Sequence, residues 1–284
     1  MAFGAWLRLS RIEHSFMVAA AVVASQAVSA KSASIAFNPA SFAALFPALG
    51  PFFITAGSFV LNDWFGVRTD AANRRRERPL VSREIARADA LKAAVVLYAL
   101  GLLFAFYAGT VAFAVAFVYA LLSVAYDPVL KKLPLAGNLF IASSMSVSFL
   151  YGNLAVSPAL APLVALFCAI SFLAGAGREL LITLRDVKGD RKIGATTLPM
   201  LIGARSTVAL ANSLFAWAVV LSWIPVFQGA HPAYLLFTLA NNALVLCVML
   251  SVSRRQNPAA LKKARNLTLA ALVLGIAAFA SLAL

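Results

Sequence analysis

The run from Lys92 to Asp127, KAAVVLYALGLLFAFYAGTVAFAVAFVYALLSVAYD, contains 34 uncharged residues between two charges. As one helix it would be about 50 Å long at 1.5 Å per residue, well beyond a hydrocarbon core of about 30 Å. Gly109 and Thr110 interrupt the run near its middle. The run is therefore predicted to form two membrane-spanning helices joined by a tight turn.

Other charge-free intervals extend the same pattern along the chain. The intervals from Lys132 to Arg178 and from Arg205 to Arg254 hold 45 and 48 uncharged residues, enough for two spans each. We expect an all-α integral membrane protein, a single polytopic domain over residues 1–284 with about nine transmembrane helices. The expected spans are approximately 13–31, 41–62, 89–107, 110–127, 136–155, 161–183, 206–228, 233–253 and 266–284.

Composition and charge support this class and indicate an orientation. Apolar residues make up 62% and charged residues 12% of the chain, which excludes an ordinary soluble domain. With nine spans, 23 of the 24 Lys and Arg residues lie on one face, which the positive-inside rule places in the cytoplasm. We expect a multi-pass protein of the cell inner membrane with its N-terminus inside and its C-terminus outside. The net charge of +14 then favours membrane lipid or a phosphorylated substrate, and not nucleic acid, as partner.

All ten Asp and Glu residues also fall on the predicted cytoplasmic face, although acids contribute little to orientation. Asp63 and Asp70 are seven residues apart, so they share a helical face if the second span continues, with Asn62 at its edge. Asp186 and Asp190 are four apart and also share a face. Two oxygen-rich clusters at one face suit Mg²⁺, which is commonly held by carboxylates together with substrate phosphate oxygens.

Basic side chains accompany both acidic clusters and are candidates for neutralising a phosphorylated substrate. The candidates from this pattern are Arg78, Lys131, Lys132, Lys188 and Arg191. The alternative is that most of these cations are topology signals and headgroup contacts, as in other polytopic proteins.

These stretches resemble the signatures of the UbiA superfamily of intramembrane prenyltransferases. Asn62, Asp63 and Asp70, followed by Arg78-Pro79-Leu80, are similar to its NDxxDxxxD motif and the RPL-type segment behind it. The stretch DVKGDRKIG at 186–194 resembles its DxxxD motif. KKLPLAGN at 131–138 resembles its lysine and Gly-Asn stretch, and Arg11 with Glu13 its first-helix signature.

The resemblance implies a helical bundle around a central cavity and Mg²⁺-dependent transfer of a prenyl group from a polyprenyl diphosphate to a lipophilic acceptor. It implies metal ligands at Asn62, Asp63, Asp70, Asp186 and Asp190, of which the four aspartates are the candidate catalytic residues. It adds Arg11 and Asn138 to the diphosphate-binding residues. Two positions depart from the pattern, because Gly66 and Thr183 stand where relatives usually carry acids.

The acceptor is open between a glycerol phosphate ether lipid and a quinone-type aromatic such as 4-hydroxybenzoate. A related chemistry is a terpene cyclase, which acts on a prenyl diphosphate without an acceptor. A membrane transporter or lipid-binding protein is the alternative from another class, since intramembrane ionisable residues often mark ion pathways.

Overall fold

The computed structural model describes residues 2–72, 75–192 and 194–284, and leaves out the side chains of Ala2, Ala72, Lys188 and Lys192. Over these ranges the chain is helical, with no β-strand. The helices are α1 (Ala2–Ser10), α2 (Ile12–Ser32), α3 (Phe42–Ala72), α4 (Arg87–Tyr107), α5 (Thr110–Tyr126), α6 (Ala136–Leu154), α7 (Pro162–Lys192), α8 (Leu198–Leu221), α9 (Ile224–Phe227), α10 (Pro232–Arg254) and α11 (Pro258–Ser281), with a 3₁₀ turn at Leu130–Lys132.

Several of these helices are long and apolar enough to cross a membrane. Within the described ranges, seven candidate spans meet both criteria, namely α2, α3, α4, α7, α8 together with α9, α10 and α11. Helix α5 is a shorter apolar helix. Helix α6 has 19 residues and packs between α2 and α7. The chain is thus a multi-pass integral membrane protein, as its composition predicts.

Helices α3 and α7 are the longest, with 31 residues each, and both continue past the apolar segment into the acidic motifs. Helix α3 runs unbroken through Pro47 and Pro51. Because Pro51 has no N–H, the Pro47 carbonyl lacks its helical donor. The Tyr151 hydroxyl of α6 donates to that carbonyl at 3.0 Å, which satisfies the freed oxygen inside the bundle.

Small residues let the helices approach closely around α2, which packs against α3, α6 and α11. A Cβ added at Gly152 of α6 would collide with the Val22 carbonyl oxygen of α2. A Cβ at Gly101 of α4 would collide with Ile54 and with the Gly50 carbonyl of α3. These contacts hold α2, α3 and α6 together around the cavity described below.

Helix α1 is absent from the predicted spans, because nine residues are too few to cross a membrane. Its inner face buries Ala5 and Leu9 completely, in a cluster with Val60 of α3 and with Leu80 and Ile85 of the following loop. Its outer face exposes Phe3. The helix therefore braces the end of α3 and the loop that carries Arg78.

Candidate functional site

The first acidic motif ends α3 as a network of carboxylates and arginines. Asp63 is 3% exposed and accepts hydrogen bonds from Arg11 at 3.0 Å and from Arg78 at 2.9 and 3.0 Å. Arg78 also lies 3.9 Å from Asp70, which pairs with Arg75 at 3.1 Å. Both aspartates thus lie on one face of the continued helix, as predicted, and Arg78 links them.

Arg11 reaches this network from the junction of α1 and α2. Its backbone is left-handed, with φ 45° and ψ 55°, a conformation that is uncommon for a residue with a side chain. Its guanidinium lies 4.6 Å above the ring of Phe59 while it pairs with Asp63. These contacts compensate for the strained turn, and burial is the main cause that lowers the pKa of Arg11 from its ordinary value.

Gly66 lies between the two aspartates on α3. A Cβ at this position would be 3.7 Å from Asp70 Oδ2, an ordinary van der Waals distance. Position 66, where relatives usually carry an acid, therefore has room for a side chain.

The second acidic motif lies on the last turns of α7. Asp186 forms a two-point contact with Arg185, at 2.7 and 2.8 Å. Burial, followed by the nearby charge of Asp186, raises the pKa of Asp190 to about 6, while Lys131 and Arg75 act in the opposite direction. Arg75, which pairs with Asp70 of the first motif, and Asp186 of the second motif line the same cavity, so the two motifs lie at one end of the bundle.

The loop between α5 and α6 contacts the first motif through Asp127. Asn62 donates to both carboxylate oxygens of Asp127 at 2.9 Å, and Lys131 donates to one of them at 3.2 Å. Burial is the main cause that raises the pKa of Asp127, and these two partners oppose the shift. Asn62 is thus turned toward α5 and not toward Asp63. Asn138 donates instead to Thr183 of α7, at 2.6 Å.

Between these elements lies a cavity of about 750 Å³. Its charged end is lined by Arg11, Asn62, Arg75, Glu77, Arg78, Asp127, Lys131, Arg178, Glu179, Arg185, Asp186 and Arg265. Its interior is largely apolar and aromatic, with Ile54, Phe140, Phe149, Phe167, Phe215, Leu272 and Ile276 among the lining residues. The cavity therefore combines a charged entrance with a chamber suited to a hydrocarbon chain.

The structure brings some of the predicted site residues to the cavity wall and leaves others behind it. Asn62, Arg11, Arg78, Lys131 and Asp186 line the cavity. Asp63 and Asp70 are not part of the described lining, but the arginines that they pair with, Arg11, Arg75 and Arg78, are. Among the residues that the structure describes, Asp190, Lys132, Asn138 and Arg191 are not part of the lining, and the predicted side chain of Lys188 lies outside the described residues.

Sequence reasoning missed Asp127, Glu179 and Arg265 as residues of the site. Glu179 lies seven residues before Asp186, so the helical periodicity places it on the same face of α7. Asp127 ends an apolar run, where an isolated acid is unusual. Arg265 lies in α11, where no sequence signal relates it to the motifs, and only the packing of α11 against α7 and α2 brings it to the cavity.

Comparison with known sequences decides the family. The model of the UbiA prenyltransferase family matches residues 16–281, nearly the whole chain. The chain belongs to the UbiA prenyltransferase family. This confirms the resemblance seen in the two acidic motifs, and it confirms the expected class of all-helical membrane proteins.

Relatives in the UbiA family are similar in both sequence and structure. The digeranylgeranylglyceryl phosphate synthase of Archaeoglobus fulgidus is 33% identical over 231 residues, which cover 80% of this chain and 79% of the relative. The apo structure of a UbiA homolog from Aeropyrum pernix K1 has a TM-score of 0.78 at 20% identity, covering 94% of this chain and 97% of that one. A UbiA homolog from Archaeoglobus fulgidus, bound to GPP and Mg²⁺, has a TM-score of 0.65 at 20% identity, covering 97% and 99%.

The donor set of this UbiA family site suits a divalent cation shared with a substrate. In the described part of the chain, no three His, Cys, Asp or Glu side chains form a group that would hold a metal by itself. The carboxylates lie instead as two pairs on α3 and α7. Because Mg²⁺ commonly takes one or two carboxylates plus waters and phosphate oxygens, Asp186 on the cavity wall fits a cation of this kind, with the other three aspartates on the same two helices.

Proposed function

We propose that this protein is a Mg²⁺-dependent prenyltransferase that transfers a prenyl group from a polyprenyl diphosphate to a glycerol phosphate ether lipid. The observation that carries the proposal is the convergence of both acidic motifs and seven cationic side chains on one cavity with an apolar interior. The name of the 33% identical relative, digeranylgeranylglyceryl phosphate synthase, supports this acceptor over an aromatic one.

In this proposal Asp63, Asp70, Asp186 and Asp190 would hold the metal, and the side-chain oxygen of Asn62 is a further candidate ligand. The Asn62 amide nitrogen points at Asp127, so its oxygen is not used in that contact. The bound Mg²⁺ would neutralise the negative charge that develops on the departing diphosphate.

The protein's own cations hold the diphosphate in place. Arg78 and Lys131 line the cavity, and each is fixed by a carboxylate, Asp63 and Asp127 respectively. Arg11 enters beside Arg78, and guanidinium groups suit bidentate contacts with phosphate oxygens. Lys132, Asn138, Lys188 and Arg191 complete the predicted diphosphate-binding set.

The apolar chamber surrounds the prenyl chain of the donor. Cleavage of the allylic C–O bond leaves a carbocation on the prenyl chain, which water would capture if it entered. Aromatic faces such as those of Phe140, Phe149 and Phe167 stabilise positive charge and exclude water. The acceptor hydroxyl then forms the new C–O bond and releases its proton.

The topology is part of the same proposal. We infer that nine helices cross the membrane, with the N-terminus and the charged end of the cavity in the cytoplasm and the C-terminus outside, because nearly all Lys and Arg residues then face inward. The orientation is tested by cysteine labelling in a variant whose Cys168 and Cys247 are both replaced by serine. A single cysteine is introduced at Glu84 or at Gln228, and its reaction with an impermeant thiol reagent is compared in intact cells and in inverted vesicles.

Turnover by the purified protein tests the function. Geranylgeranyl diphosphate with a glycerol phosphate that already carries one geranylgeranyl ether is expected to give the doubly alkylated phosphate only when Mg²⁺ is present. Parallel reactions with 4-hydroxybenzoate and with no acceptor identify the two other chemistries, because a prenylated aromatic or a cyclised hydrocarbon would appear instead. Substrate flux in proteoliposomes without a covalent product would refute the enzyme assignment.

A further inference from the structure

Arg265 of α11 lines the cavity without a carboxylate partner among the described residues, which include all ten acids of the chain. Every ion pair within 4.0 Å in the described chain involves another cation. Among the described residues, seven Lys and Arg side chains and four Asp and Glu side chains line this cavity, so its wall carries net positive charge. Arg265 is exposed and adds to this positive charge, which an anion in the cavity would balance.

Arg178 of α7 lies in the same part of the cavity wall. The residue is only 8% exposed, and its Nη1 donates to Glu179 at 2.7 Å. Its buried Nε has no hydrogen-bond partner. Arg178 lines the cavity, and a guanidinium has five N–H donors, so donors that Glu179 does not use are available to an anion there.

Arg178 lies deeper along the cavity than the proposed diphosphate position. Arg178 precedes Asp186 by eight residues, which places it about 12 Å further along α7 toward the apolar chamber, at 1.5 Å per residue. The donor diphosphate is assigned to the metal-binding motifs with Arg78 and Lys131. Arg178 is too far along the helix to serve the same phosphate oxygens as Asp186 and Asp190.

We propose that Arg178 and Arg265 form a second anion subsite, which binds the phosphomonoester group of the acceptor. The inference rests on the proposed function, in which the acceptor is a glycerol phosphate. A dianionic phosphate accepts hydrogen bonds from the cavity-lining guanidinium of Arg178 and balances the uncompensated charge of Arg265. The subsite holds the acceptor by its phosphate beside the donor, so that its hydroxyl is presented to the allylic carbon.

The main experiment compares steady-state kinetics of Arg265→Gln and Arg178→Lys with those of the unaltered protein. Loss of a charge-assisted contact is expected to raise the KM for the phosphate acceptor at least about tenfold. The KM for geranylgeranyl diphosphate stays within about twofold, because the donor position is untouched. Arg178→Lys keeps the charge that faces Glu179, so it guards against a folding defect, and thermal unfolding checks both variants.

Lys263→Gln is the matched control, because it removes the same charge from the same helix. Lys263 is exposed and is not among the described residues that line the cavity, and an offset of two residues places it on the opposite side of α11 from Arg265. The control is expected to leave both KM values unchanged. An equal rise in acceptor KM in Lys263→Gln would reveal a general surface-charge effect and overturn the assignment.

A second arm measures binding without turnover and separates this inference from the proposed function. A saturated diether glycerol phosphate has the phosphomonoester but no free hydroxyl, and its dissociation constant is expected to be at least about tenfold higher for Arg265→Gln than for the unaltered protein. The corresponding phosphodiester lipid is expected to compete poorly, which distinguishes the acceptor from ordinary phospholipid headgroups. Equal affinities in both proteins refute the subsite even if prenyl transfer is shown. If no prenyl group is transferred but Arg265→Gln still binds the diether phosphate more weakly, only the proposed function is refuted.

Discussion

The two acidic motifs of this protein balance their negative charge in different ways. At the end of α3, Asp63 and Asp70 are held by Arg11, Arg75 and Arg78 at 2.9 to 3.9 Å. At the end of α7, Asp186 contacts its neighbour Arg185, while burial and the charge of Asp186 raise the pKa of Asp190 to about 6. The first motif fixes the cations of the cavity entrance, and the second presents carboxylate charge that a divalent cation would stabilise.

The two motifs, although similar in sequence, are therefore expected to have different roles. Removal of charge from α7 should impair metal-dependent chemistry without harming the fold. Removal of charge from α3 should harm both, because two arginines would lose their buried partner.

The largest effect is expected for Asp190→Asn, which removes a proposed metal ligand while keeping the side-chain size. We expect kcat/KM to fall by about 10³-fold, the scale of losing one preorganised electrostatic contact to the developing charge. The unfolding temperature should not fall. The folded-state pKa of Asp190 lies above its ordinary value, so ionisation opposes folding above about pH 6, and the amide removes that opposition.

The measurement is Mg²⁺-dependent turnover together with thermal unfolding in detergent. Asp89→Asn is the control, because Asp89 is an exposed acid in the first turn of α4. Turnover within twofold of the unaltered protein would remove Asp190 from the metal site.

The next largest effect is expected for Asp63→Asn, which leaves Arg11 and Arg78 without their shared carboxylate. Breaking such a network should cost up to about 3 kcal/mol of stability in addition to activity. A plot of unfolding temperature against activity for Asp190→Asn and Asp63→Asn compares the two motifs directly. If Asp63→Asn loses activity at unchanged unfolding temperature, the anchoring duty given to the first motif is wrong.

A smaller effect, in the opposite direction, is expected for Gly66→Asp. The new carboxylate would lie beside Asp70 in available space, so it should lower the Mg²⁺ concentration for half-maximal turnover by about threefold to tenfold, through added ligand charge. Gly66→Ala is the control for helix propensity, because alanine also favours the helix more than glycine does but adds no carboxylate. An increased Mg²⁺ requirement in Gly66→Asp would place the metal away from the first motif.

The smallest effect is expected at the pair between Arg8 and Glu84, which joins α1 to the loop behind the first motif at 2.6 Å. Hydrogen bonds from Ser82 and Arg8 lower the pKa of Glu84, but the group is fully exposed. Exposed ion pairs contribute little, so Glu84→Gln should leave turnover and the unfolding temperature unchanged. A clear loss of turnover would show that α1 positions the Arg78 loop through this contact, and not only by burying Ala5 and Leu9.

Much of this architecture follows from local rules that act along one segment. The apolar runs predict helices because buried backbone groups in lipid must bond within their own segment. The seven-residue spacing of Asp63 and Asp70 and the four-residue spacing of Asp186 and Asp190 predict shared faces, since helical periodicity is a property of neighbours in sequence. The short helix α1 was not predicted, because its nine residues are stabilised by packing against α3 and the loop that follows α3.

By itself the sequence determined the membrane class, the long helices, the two acidic motifs and their resemblance to the UbiA family, because each depends on residues close together along the chain. Only the tertiary structure decided that Asn62 turns to Asp127, that Arg11 and Arg78 share Asp63, and that Arg265 joins Arg178 at the cavity. The residues brought together in this way are 15 to 87 positions apart in the sequence. Which side chains meet across such distances depends on helix packing and on the balance of buried charge, and neither is encoded in any single segment.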